Sequence, residues 1–157
     1  MMKTTLLAAG LLAMSIPSAF ALQASKSVDV DAAPAKVWTA IGDFCGIAQW
    51  HPAIASCAPS TKGGKHIRTL ALKGGGTIVE QEVYRHNRQM EYRYTIVDGP
   101  LPVSDYQSTL KVSAHGTGSV ITWNGTFKAK GADDATATNA IQGIYDSGLA
   151  ALADKVK

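Results

Sequence analysis

Glu80 and His51 are the side chains whose type and setting best suit chemistry. Glu80 lies in a run, Thr77 to Arg85, that alternates as a strand does, with Ile78, Glu80, Glu82 and Tyr84 on one face. Three later runs present Met90, Tyr92, Tyr94 and Ile96, then Tyr106, Ser108, Leu110 and Val112, then Ile121, Trp123, Gly125 and Phe127. These faces are nearly all apolar or aromatic, so all four are expected to point inward. Glu80 would then be a carboxylate in an apolar interior, where it needs a partner or takes up a proton. Arg68, on the preceding strand, is a candidate ion-pair partner. A hydrophobe at position 80 should be as stable or more so. The alternative is a strand twist that turns Glu80 to water. Glu82, nearer the strand end, is expected to be exposed.

His51 sits between Trp50 and Pro52. Imidazole is largely neutral at pH 7 and can exchange protons there. With Glu80 it could move protons on a ligand whose developing enolate Tyr106 or Arg68 stabilises. The alternative is a structural histidine satisfied within the protein. Other chemistries lack their motifs. There is no Gly-x-Ser-x-Gly elbow. His66, His86 and His115 fall near strand ends or turns without ligand spacing, so no metal is expected. Lys73-Gly74-Gly75-Gly76 is no phosphate loop, since no Gly-Lys-Ser/Thr and no helix follow it. No cofactor is implied. The net charge of +3 is too slight to argue for nucleic acid. Arg85, His86, Arg88 and Arg93 gather around one hairpin, as a docking surface for an acidic protein or a solvated tip.

The elements that must position these groups follow from the hydrophobic pattern. Ser25 to Asp31 reads as a first strand. Pro34 suits a helix start, and Val37, Trp38, Ile41 and Phe44 follow at helical spacing. Ile47 to Trp50 allows a second short helix before Pro52. Candidate strands are Ile54–Ala58, His66–Leu72, Thr77–Arg85, Gln89–Val97, Tyr106–Ala114 and Ser119–Lys128, broken by glycine-rich or Asx turns. From Asp133 the apolar stripe Ala137, Ile141, Ile144, Gly148, Leu152 and Val156, widened by Tyr145 and Leu149, predicts a long helix. Gly148 on that stripe implies either a close approach of the sheet or room for a cavity. The expected fold is α+β: one curved, seven-stranded antiparallel sheet wrapped on a C-terminal helix.

Residues 1–21 read as a signal peptide: Lys3, an uncharged apolar run from Leu6 to Ile16, then Ser18-Ala19-Phe20-Ala21 with cleavage after Ala21. The run is too short to span a bilayer, so no stable membrane insertion is expected. Residues 22–157 are expected to form one domain, periplasmic or secreted. In such a compartment Cys45 and Cys57 favour a disulfide over two free thiols.

The element order, with Asp43-Phe44-Cys45-Gly46-Ile47-Ala48-Gln49-Trp50-His51-Pro52 and Gly99-Pro100-Leu101-Pro102-Val103-Ser104-Asp105-Tyr106, resembles the START/SRPBCC, or birch-pollen-allergen-like, helix-grip superfamily. It looks like the exported bacterial branch described as polyketide cyclase/dehydrase-like or MxaD-like. The superfamily includes lipid carriers, plant hormone receptors, cyclases and accessory proteins of periplasmic methanol oxidation. The resemblance implies a cavity between helix and sheet. It places Glu80 where the hormone receptors carry a cavity glutamate, Tyr106 and Ser108 at cavity polar positions, and His51 near a cavity lysine. Histidine in place of lysine weakens the case for an anionic ligand. The loops Gly74-Gly75-Gly76 and Pro100-Leu101-Pro102 would gate the cavity.

The expected function is periplasmic binding of a small apolar molecule with a polar end. Its contacts would be His51, Arg68, Glu80, Tyr92, Tyr94, Tyr106, Ser108, Trp123, Ile144 and Gly148. The alternatives are an accessory protein of a periplasmic redox enzyme and a cyclase/dehydrase-like lyase using His51 and Glu80. Fold alone does not choose among them.

Overall fold

A computed structural model describes residues 21–157. The expected signal peptide lies outside the described residues, apart from Ala21. Strand β1 (Leu22–Val30) leads to helix α1 (Pro34–Ile41) and a 3-10 turn (Gly46–Gln49). Strands β2 (Ile54–Lys62), β3 (Lys65–Leu72), β4 (Thr77–His86), β5 (Glu91–Asp98), β6 (Val103–His115) and β7 (Gly118–Ala129) follow, then helix α2 (Asp134–Lys155). The strands form one antiparallel sheet in the order β1-β7-β6-β5-β4-β3-β2. This is the helix-grip architecture that the sequence predicts.

Local chemistry sets the ends of the helices. Pro34 opens α1, where its missing N–H and fixed φ cost nothing. The apolar spacing continues to Phe44, but α1 stops at Ile41 because Gly42 takes φ +75°. Asp133 caps α2 by accepting from the Thr136 N–H at 2.7 Å. The α2 stripe packs chiefly on β1 and β7 and is buried, except that Ile144 is only partly covered. Val28, Trp38 and Phe44 pack against the core and are also partly buried. Cys45 and Cys57 form a disulfide, with Cα atoms 5.6 Å apart, that ties the loop after α1 to β2. Closing a loop of this length contributes about 3 kcal/mol in the chain-entropy model.

One irregularity overturns part of the expected face pattern. The register of β4 against β5 shifts between Glu82 and Tyr84. A bulge adds one residue to one strand, so alternation beyond it inverts. Tyr84 therefore pairs with Arg93, outside the sheet, and Arg85 pairs with the buried Tyr92. The Arg85 guanidinium lies under α1, 4.3 Å from the Trp38 ring centroid, and donates to the Gly42 carbonyl. Arg93 lies over Tyr84 and donates to Thr109 Oγ1 at 3.0 Å. Of the four residues of the expected basic hairpin surface, Arg85 is drawn inward and Arg93 is held against Tyr84 and Thr109 on the outer face; His86 and Arg88 remain exposed. Glu82, expected in water, keeps only 10% of its side-chain exposure, and its Oε2 lies 3.0 Å from His66 Nδ1.

Leu152 is fully buried where α2 meets the sheet. Leu152→Ala should lower the unfolding free energy by about 2–5 kcal/mol, measured by urea denaturation. A change near zero would contradict this packing.

Candidate functional site

A cavity of about 310 Å³ lies between α2 and the sheet. Its walls are mostly aliphatic: Ile47, Ile54, Leu70, Leu72, Ile78 and Ile96, with Ile141 and Ile144 from α2. Sequence reasoning looked for an aromatic wall, because strand alternation marks which side chains point inward but not which of them border empty space. Tyr94, Tyr106 and Trp123 supply the aromatic part, and Glu80 and His51 the remaining polar side chains. Gly74, Gly75 and Leu101 also line it, so both expected loops reach the cavity. The loops abut: a Cβ on Gly76 would lie 3.9 Å from Pro100 Cγ. Gly76, Pro100 and Pro102 themselves stand back from the lining.

Glu80 and Arg68 are cross-strand partners on β4 and β3 and face inward together. Arg68 Nε donates to Glu80 Oε2 at 2.5 Å, with both side chains almost wholly buried. A second guanidinium nitrogen, Nη1, donates to the Phe44 carbonyl, and the Phe44 ring centroid lies 4.0 Å from Arg68 Cζ. Burial works against the Arg68 cation, but Glu80 beside it, together with Tyr92 and Tyr94, outweighs this and raises its pKa. Burial also pushes the Glu80 carboxyl up, while Arg68 opposes the rise and favours the carboxylate. Glu80 lines the cavity and Arg68 lies behind it. This geometry corrects the expectation for a hydrophobe at position 80. Replacing Glu80 alone would strand a guanidinium with no exposure to water.

His51 turns out to be fully committed. The Ala53 N–H donates to its Nδ1 at 3.2 Å, which puts the ring hydrogen on Nε2. Nε2–H then donates to the Ile144 carbonyl at 3.1 Å. Both nitrogens are spent on backbone, so the imidazole staples the Trp50–Pro52 corner to α2 and has no free site for proton exchange. Gly148 is explained by the same contact. A Cβ there would lie 2.6 Å from His51 Cδ2 and 2.8 Å from Trp123 Cζ3, so the close approach on α2 is by side chains.

Tyr145 is the site residue that sequence reasoning missed, having counted it only as part of an apolar stripe. Its ring stacks on Trp123, with centroids 4.7 Å apart, and its hydroxyl joins a buried chain. Tyr145 Oη lies 2.7 Å from Tyr106 Oη and 2.8 Å from Ser108 Oγ. Tyr106 Oη is 3.2 Å from Tyr94 Oη, to which Trp123 Nε1–H donates at 3.1 Å. One signal was available: Gly125 breaks an inward face of large residues. A Cβ there would lie 2.2 Å from Tyr145 Oη, so this glycine makes the space that the phenol occupies. Burial pushes Tyr145 up to about 12 and Tyr94 and Tyr106 well above their ordinary value, so all three keep their protons.

Of the ten residues expected to touch a ligand, six line the cavity: His51, Glu80, Tyr94, Tyr106, Trp123 and Ile144. Arg68, Tyr92, Ser108 and Gly148 do not. Arg68 and Ser108 hold lining residues or their neighbours in place, Gly148 is filled by His51, and Tyr92 packs beside Phe44 and Trp38. Among the described residues, no group of three or more His, Cys, Asp or Glu could hold a metal. No helix among them is long and apolar enough to cross a membrane.

The state of His51 sets a pH dependence. Burial, first, and the nearby Arg68 lower its pKa below the ordinary 6.5, while the Ile144 carbonyl pulls the other way. A lowered pKa means that the unfolded chain takes the proton first. The stability contributed by neutral His51 is therefore complete above pH 6.5 and lost as pH falls from there to the folded value. Thermal unfolding of the wild type and His51→Gln between pH 7.5 and 5 should show the gap in Tm closing as pH falls. A constant gap would mean that the imidazole is not held neutral.

With this geometry in view, similarity to known proteins becomes informative. Residues 21–157 match the family model for polyketide cyclase/dehydrase and lipid transport. XoxI from Bacillus cereus is 34% identical with a TM-score of 0.79, over 85% of this chain and 94% of that one. An uncharacterized protein from Bacillus thuringiensis is 33% identical with a TM-score of 0.79, over 86% and 98%. The fold of Ara h 8.0201 is shared at 19% identity and a TM-score of 0.69, over 87% and 98%. No curated protein matches the chain. With a family match over essentially every described residue, and the sheet and helix to go with it, the chain belongs to the polyketide cyclase/dehydrase and lipid transport family of the SRPBCC superfamily.

Proposed function

We propose that this protein binds a small, mostly apolar molecule in the cavity between α2 and the sheet, with the polar end of that molecule at Glu80. The observation that carries the reading is a buried ion pair at the wall of an otherwise aliphatic cavity. A well-packed pair of hydrophobes would be as stable or more so, which makes the carboxylate hard to explain by stability alone. A concave, largely apolar site with few polar groups is what small-molecule binding requires. The Gly74-Gly75-Gly76 and Pro100-Leu101-Pro102 loops close one end of it as a gate. The lyase alternative needs His51 as a proton carrier, and both its nitrogens are held by backbone. The accessory-protein alternative keeps a smaller basic docking surface, because Arg85 turns inward while His86 and Arg88 remain exposed.

We also propose that residues 1–21 direct export and are removed after Ala21, which the Cys45–Cys57 disulfide supports by calling for an oxidising compartment. Amino-terminal sequencing of the periplasmic protein should begin at Leu22; recovery of Met1 would reject this.

Binding is tested with the neutral apolar fluorophore N-phenyl-1-naphthylamine. Glu80→Leu alone should destabilise the fold by about 3–5 kcal/mol, because it leaves Arg68 buried and unpaired. The double variant Arg68→Met/Glu80→Leu should regain wild-type stability or exceed it. Its affinity for the probe should fall about tenfold, the share of one hydrogen bond to a charged group. Unchanged affinity in a stable double variant would reject Glu80 as the polar anchor.

A further inference from the structure

Counting hydrogens in the cavity wall determines what it can offer a ligand. Ser108 Oγ donates to the Asn124 carbonyl at 2.8 Å, and a carbonyl can only accept. Its single hydrogen is then spent, so Tyr145 must donate to Ser108. Otherwise two oxygens would face each other at hydrogen-bond distance with no hydrogen between them. By the same step Tyr106 donates to Tyr145 and Tyr94 donates to Tyr106. Trp123 Nε1–H closes the series on Tyr94. The direction of the whole chain is fixed by its last, carbonyl, member.

The other polar wall groups end in the same condition. His51 has given its one ring hydrogen to Ile144 and its lone pair to Ala53. Glu80 accepts from Arg68 through Oε2, and among the described residues no protein group bonds its second oxygen. The polar side chains that line this wall therefore keep lone pairs and have no hydrogen left to give; the unspent guanidinium nitrogen, Arg68 Nη2, belongs to a residue outside the lining.

We infer that the cavity selects a neutral ligand whose polar end donates a hydrogen bond, an alcohol or a phenol, over ethers, ketones and carboxylates of the same shape. This rests on the cavity being a binding site. A hydroxyl would meet the open carboxylate oxygen of Glu80 or the spare lone pairs of Tyr94 and Tyr106. An ether or ketone would bury acceptors against acceptors, and a carboxylate would add like-charge repulsion from Glu80. An aliphatic wall of about 310 Å³ places the preferred ligand at the small end of ligand size.

The test is calorimetric titration of the purified protein with 1-naphthol, 1-methoxynaphthalene and 1-naphthoate. 1-Naphthol should bind at least about tenfold tighter than its methyl ether, with the carboxylate weakest. Glu80→Gln, whose amide can accept from Arg68 and turn an N–H toward the cavity, should narrow that ratio toward one. The comparison in the unaltered protein stands whatever the variant does. An ether that binds as well as the naphthol, or tighter, would overturn the inference by showing a free donor in the wall, such as a protonated Glu80. A tightest-binding naphthoate would overturn it as well. If no naphthalene binds with Kd below about 1 mM, the binding reading itself fails, a different result from binding without the predicted preference.

Discussion

The ion pair between Arg68 and Glu80 is the interaction around which the interior is arranged. Neither charge has water to solvate it, so each must be met by protein or lost. The requirement reaches across three elements. The β3–β4 register sets the two side chains opposite each other. The loop after α1 brings the Phe44 carbonyl and ring to the guanidinium. The disulfide next in sequence to Phe44 anchors that loop to β2. A shift in any of these would leave a buried charge unmatched, at a cost of several kcal/mol. The pair thus makes the wall of the cavity rigid at the one place where it is charged.

The second polar system differs in kind. The Tyr94–Tyr106–Tyr145–Ser108 chain is neutral and closed at both ends, by an indole N–H and a backbone carbonyl. Fully satisfied networks of this sort specify geometry, since every member must sit within reach of two neighbours. Two glycines make the arrangement possible. Gly125 clears the sheet for the Tyr145 hydroxyl, and Gly148 clears α2 for His51 and Trp123. The helix accepts a glycine that costs roughly 1 kcal/mol relative to alanine so that the rings of His51 and Trp123 can meet there.

The two systems divide the work of the interior. The aromatic and hydroxyl network with His51 joins the sheet to α2 at one side of the cavity. The ion pair and the disulfide-anchored loop adjoin that network, with Arg68 Cζ 5.1 Å from the Tyr94 ring centroid. Beside them lies an aliphatic volume that the side chains do not fill. Cores pack at near-crystalline density when nothing prevents it. Here the contiguous polar frame, held by its own hydrogen bonds, resists collapse onto the gap.

The sequence by itself determined the architecture and most of the site's members. Turn residues and alternation marked six hairpin-linked strands, Asp133 and a six-residue stripe marked the long helix, and the expected export signal with two cysteines pointed to the disulfide. Glu80 was legible as a carboxylate among apolar faces, and Arg68 as its partner on the next strand. Those inferences rest on local periodicity, which neighbouring residues encode directly. Tertiary structure decided the rest. A bulge after Glu82 inverted the outer half of β4, sending Arg85 inside and Tyr84 out, and bulges leave no mark in an alternating pattern. His51 became a structural staple only because Ile144, far along the chain, offers it a carbonyl. Tyr145 became a hydrogen-bond hub only because Gly125 left space opposite it. Hydrogen-bond partners and empty volume belong to pairs of residues brought together by folding, and no single stretch of sequence contains both members.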